Sequence, residues 1–174
     1  MANEVLQKTG TAIVLADTTD HSPAAVNDLG TRTDQIDLAS VGSGSSRQSA
    51  KVDLGATRAR KYGVTAVVEY SVAPTAGGLI QVHTGYSQSS TAGTGNPGGL
   101  SGSDAAYTGN LNQLDYVGAW PLDNSASAQI GYLGEFEPTD RYLMVVLTNG
   151  GDQSLIDDAV EMSIRVAPVV DEVQ

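Results

Sequence analysis

From Tyr62 onward, apolar and polar residues alternate with a period of two, and Gly and Pro fall between the alternating segments. Period two places successive side chains on opposite faces of an extended chain, so this pattern specifies half-buried β-strands and leaves little room for helices. In the segment 62–72 every even position (Tyr62, Val64, Ala66, Val68, Tyr70, Val72) is apolar or aromatic, while Gly63, Thr65, Glu69 and Ser71 lie on the other face. Near the end, Val160, Met162, Ile164 and Val166 point inward, Glu161, Ser163 and Arg165 point out, and Pro168 is expected to break the ladder. The run Tyr142, Leu143, Met144, Val145, Val146, Leu147 is apolar on both faces. That is expected of a central strand covered on both sides, in mid-sandwich or against a neighbouring subunit.

Further strands are predicted at 11–16, 35–38, 50–54, 79–86, 114–122 and 128–136. About eight or nine short strands imply an all-β fold, a two-sheet antiparallel sandwich of jelly-roll type. Periodicity does not supply the strand order. A length of 174 residues fits one domain over 1–174. Residues 10–50 are read as arm and loops with the first strands. Two stretches interrupt the alternation. The first, 17–47, starts with Asp17-Thr18-Thr19-Asp20-His21-Ser22-Pro23 and closes on a Gly/Ser run, so it reads as an extended arm or loop. The second, 87–110, is rich in Gly and Ser. Its turn dipeptides and a capped helical turn expected at 103–107 imply an ordered loop that packs on something, a second subunit being one candidate.

Charge and composition exclude several classes of function. The formal net charge of −11 opposes binding to phosphate backbones and anionic lipid, so neither nucleic acid nor membrane is expected as a partner. There is no cysteine, which excludes disulfides, thiolate chemistry and Cys-ligated zinc. Residues 1–8 lack the apolar core of a signal peptide, and no run approaches the roughly 18 apolar residues of a membrane span, so synthesis as a soluble cytoplasmic product is expected. Arg47, Lys51, Arg58, Arg60 and Lys61 hold most of the basic charge, whereas Asp152, Asp157, Asp158, Glu161, Asp171 and Glu172 crowd the last part of the chain.

Catalytic motifs are missing. The histidines are His21 and His83 alone; Gly99-Leu100-Ser101-Gly102-Ser103 is not a nucleophile elbow, and nothing matches a zinc-protease helix or a phosphate-binding loop. Glu135 and Glu137 suit a glycosidase only if a cleft separates facing carboxylates. Asp17, Asp20, Asn27 and Asp28 are hard oxygen donors without calcium-loop spacing. A sugar-stacking site would have to use Trp120 or Tyr86, although Trp120 shares its expected strand face with Leu114, Tyr116 and Leu122 and so reads as core. No enzyme activity and no cofactor or metal is expected.

Four segments carry a resemblance: Leu29 to Leu38 (LGTRTDQIDL), Arg47 to Gly55 (RQSAKVDLG), Gly95 to Gly109 (GNPGGLSGSDAAYTG) and Glu137 to Tyr142 (EPTDRY). With them the chain, over 11–174, resembles small structural proteins of tailed bacteriophages. The resemblance implies a virion protein, a jelly-roll decoration or cement protein that sits as a trimer on the outside of the head, with the major capsid protein and copies of itself as partners. A tail, baseplate or head-fibre subunit is the alternative within the same particle, and a carbohydrate-binding module the alternative outside it. It transfers no site residues. The arm 17–46 is the expected inter-subunit contact, and Arg47, Lys51, Arg58, Arg60 and Lys61 the expected pole for an acidic capsid surface.

Overall fold

The computed structural model describes residues 5–22 and 29–173, with side chains described for 10–22 and 29–170. The strands are β1 (Val5–Thr9), β2 (Ile13–Ala16), β3 (Asp34–Gln35), β4 (Ser46–Gln48), β5 (Val52–Asp53), β6 (Lys61–Val68), β7 (Leu79–Ser87), β8 (Ala105–Tyr107), β9 (Asp115–Pro121), β10 (Gln129–Phe136), β11 (Tyr142–Gly150) and β12 (Ser163–Val173). One sheet has the order β10-β6-β12-β2-β3, with β1 also on β12; the other has β8-β4-β11-β7-β9, with β5 also on β11. The pairings β2·β12, β4·β11, β6·β10 and β7·β9 are nested antiparallel pairs. First pairs with last and second with second-last down to the middle, which is jelly-roll connectivity.

Alternation holds through β6, whose Tyr62, Val64, Ala66 and Val68 are buried against Leu143, Val145 and Leu147 of β11 and Ile164 and Val166 of β12 in one main core. It fails at Val72, which is 58% exposed, because the strand ends at Val68 and the chain turns. Tyr70 stays inside through a single bridge to Leu155 and a 2.8 Å hydrogen bond from its hydroxyl to Asn149 Oδ1. Ser163 does not face solvent as expected. It turns from the core yet is fully buried, at the end of the sheet where the chain after β2 returns and Ser22 N–H donates to the Val160 carbonyl.

Pro168 does not end its strand. The β2 ladder along β12 stops at Val166 and the β1 ladder starts at Val169, so the proline sits between the two ladders and interrupts neither. Its carbonyl accepts from Gly10 N–H at 2.8 Å.

β11 is covered on both faces, but by its own chain. Met144 and Val146 point away from the main core into a second cluster with Leu100, Tyr107 and Leu114. The Gly-rich loop therefore packs on the outer face of its own sheet, where Tyr107 donates to the Gly98 carbonyl. At about 1.5–3 kcal/mol per fully buried aliphatic side chain, this small core contributes several kcal/mol. The expected helical turn at 103–107 is instead strand β8, paired with β4 at Ser46↔Tyr107 and Gln48↔Ala105.

Candidate interaction surface

The structure distributes the five basic residues singled out above between two places. Arg47 Nε bonds Asp104 Oδ1 at 2.7 Å, and its Nη2 lies 3.7 Å from Asp37 Oδ2. Asp104 Oδ2 also accepts from Gln35 Nε2 and Asp37 N–H, and Gln35 Nε2 reaches Asp17 Oδ2 at 3.1 Å. This network ties the β3 edge of one sheet to the β4–β8 edge of the other. Burial alone would raise the Asp17 pKa, but hydrogen bonds from Asp20, Thr19, Gln35 and Thr18 outweigh it and hold the carboxyl below its ordinary value.

Lys51 is a loop organiser. Its ammonium donates to the Ser87 hydroxyl at 3.1 Å and to the carbonyls of Ser89, Thr91 and Thr94 at 2.7, 2.8 and 2.9 Å. Burial lowers its pKa below that of a free lysine. In the variant Lys51→Met those carbonyls lose their donor. Stability is expected to fall by roughly 1–3 kcal/mol and limited proteolysis to begin within 88–96, with mass spectrometry of the fragments as the check.

Arg58, Arg60 and Lys61 lie instead beside the loop that joins β10 to β11. Arg58 donates to the Thr139 carbonyl, Arg60 pairs with Glu137 at 3.6 Å, and Lys61 pairs with Glu135 at 3.0 Å. Arg141 forks onto both oxygens of Asp53 there. Positive and negative groups alternate at this end, so the clustering along the sequence does not become one contiguous basic patch. Glu135 and Glu137 are partners of cations, not facing carboxylates across a cleft.

The opposite end is one-signed. The loops 69–78, 122–128 and 151–162 carry Glu69, Asp123, Asp152, Asp157, Asp158 and Glu161 and contain no Lys or Arg. Burial, followed by the charges of Glu161 and Asp158, raises the Glu69 pKa.

Between the two ends, β9 and β10 meet along a ridge that carries exposed apolar side chains. Among the described residues the exposed large apolar side chains include Tyr116 on β9 and Ile130 and Tyr132 on β10, 59%, 48% and 59% exposed. β9 and β10 are the edge strands of different sheets and pack side by side, because glycines let their backbones meet. A methyl group at Gly118 would overlap the Leu133 carbonyl, and one at Gly131 would fall inside the Trp120 indole. The Tyr132 ring lies across Gly63 of β6. Sequence reasoning missed the ridge because both strands carry a bulge. Tyr116 pairs with His83 and Gly118 with Val82, so the extra residue, Val117, turns Tyr116 outward while Trp120 still faces inward. β10 shifts register likewise between Tyr132 and Gly134.

The remaining candidates are dispersed. Tyr86 is buried in the main core with its hydroxyl 2.7 Å from Thr84 Oγ1, and Trp120 packs against the same core. Among the described residues, His83 Nδ1 and both His21 ring nitrogens are buried without a hydrogen-bond partner. The His83 and Tyr116 rings lie 5.2 Å apart, tilted by 58°, and burial lowers the His83 pKa. Asp17 and Asp20 sit in one turn, whereas Asn27 and Asp28 lie outside the described residues. Among the described residues no group of three His, Asp or Glu has metal-holding geometry, and no helix is long and apolar enough to cross a membrane. A scan against protein-family models and searches of curated proteins and of solved structures return no match to this chain.

Proposed function

We propose that this chain is a virion structural subunit, a decoration or cement protein that binds the outer surface of a phage head and stabilises it. The observation that carries the reading is the set of exposed apolar side chains Tyr116, Ile130 and Tyr132 on the adjoining strands β9 and β10 of a chain with a formal net charge of −11. Such side chains gain by being covered, and aromatic anchors supply most of the free energy in protein interfaces. The acidic exterior discourages adhesion to packaged or free DNA. Binding several capsid subunits at once converts weak single contacts into avidity. The major capsid protein and copies of this chain are the partners of this reading, and the outer capsid surface is its location.

The test is to image purified particles with and without the protein. Density spread over the icosahedral head supports the reading; density confined to the tail moves the chain to a tail or baseplate role and overturns it. Two sets of substitutions then locate the contact. Charge reversal at Arg58, Arg60 and Lys61 tests the mixed-charge end, and Tyr132→Ser with Ile130→Ser tests the ridge. Head occupancy is expected to fall for the ridge pair, and unchanged occupancy there would remove the ridge from the interface.

A further inference from the structure

β12 is the longest strand in the molecule, and its two halves have different surroundings. From Ser163 to Val169 it is paired with β6 along one edge, and along the other with β2 up to Val166 and with β1 from Val169. Val169 pairs with Lys61, the first residue of β6, so beyond that point β6 offers nothing. Val170 to Val173 continue with β1 alone, in the register Lys8↔Val170, Gln7↔Asp171, Leu6↔Glu172 and Val5↔Val173. Beyond Val169, β12 and β1 thus form a two-stranded ribbon, with Val170 still half-buried beside the 53–59 segment.

Two strands alone are marginally stable in water, and an open strand edge is a template for another chain. Main-chain groups of a strand alternate between its edges. The Pro168 carbonyl accepts from Gly10 on the β1 side, so Asp171 and Val173 direct their N–H and C=O groups to the other edge. Among the described residues no strand pairs there, and none pairs with the edge of β1 that faces away from β12.

The charges choose between the ways two copies could meet. Two β12 edges would bring Asp171 and Glu172 against the same residues of a second acidic molecule. β1, by contrast, carries Lys8 and no acidic residue. We propose that the free edge of β12 in one copy receives β1 of the next, so that the ribbons join copies of this chain head to tail. Such a contact uses two different surfaces, so copies close into a ring or continue as an open chain. The inference rests on the proposed function only in taking copies of the chain as partners.

The test is the mass of the isolated full chain by sedimentation or light scattering, with no phage present, so its outcome is independent of whether the protein is later found on heads. An assembly of copies, closed or open, is expected. A monomer overturns the proposal, and so does a dimer that Lys8→Glu leaves intact, because it means that two like surfaces have paired. Asp171→Pro removes the N–H on the free edge while leaving the β1 ladder its donors, and is expected to give a monomer with an unchanged β-type circular dichroism spectrum. Assembly at wild-type concentration by that folded variant also overturns it. Should Asp171→Pro fail to fold, charge decides. Lys8→Glu is expected to require roughly tenfold more protein to assemble, and adding Asp171→Lys and Glu172→Lys to restore it. An unmoved assembly midpoint in Lys8→Glu overturns the proposed pairing.

Discussion

Gly118→Ala is expected to destabilise the protein by roughly 3 kcal/mol, an effect near the top of what overpacking produces. The residue is buried where β9 crosses closest to β10, and its added methyl would overlap the Leu133 carbonyl. Backbone cannot swing aside as a flexible side chain does, so the two strands have to separate. Separation also loosens Trp120 from its seat on Gly131 and disturbs the ridge. Urea unfolding of Gly118→Ala beside Gly63→Ala is the check. Gly63 lies in a strand too, but a methyl there would meet the Tyr132 ring at an ordinary 3.5 Å, so its cost should stay within about 1 kcal/mol. Equal losses in the two variants would refute the close-approach account.

Asn149→Ala is expected to cost about 4 kcal/mol, because one fully buried amide serves four groups. Its Oδ1 accepts from the Tyr70 hydroxyl at 2.8 Å and from Gly151 N–H at 3.0 Å, while Nδ2 donates to the carbonyls of Val41 and Gln153 at 3.0 and 2.9 Å. These partners belong to the chain before β4, the turn after β6 and the turn after β11, so Asn149 fastens three connections at the acidic end. Truncation leaves them desolvated and unpaired. Asn149→Asp adds a sign test. A buried carboxyl among carbonyls has its pKa raised above the unfolded value of about 3.9, so the variant loses stability as pH rises through that value. Thermal melts at pH 4 and pH 7 should therefore diverge for Asn149→Asp and run parallel for Asn149→Ala.

The extent of the longer strands was legible in the sequence even where their pairing is bulged. β6, β7, β10 and β11 fall close to the segments that alternation marks, and the doubly apolar run 142–147 is the strand with a core on each side. The candidate surface was far less legible. Tyr116, Ile130 and Tyr132 read as ordinary members of alternating strands, and only the bulges in β9 and β10 make them a ridge. Arg47 and Lys51 read as surface charge because their acceptors, Asp104 and the carbonyls of Ser89, Thr91 and Thr94, lie tens of residues away in sequence.

The amino-acid order alone determined that this chain builds β-strands, most of them with one greasy face, because side-chain direction in an extended backbone repeats every two residues whatever the neighbours are. Folding decided which strands pair, on which side of a bulge a tyrosine emerges, that the Gly-rich loop covers its own sheet, and that Pro168 continues a strand. Each of these depends on a partner distant along the chain, and local periodicity carries no record of that partner.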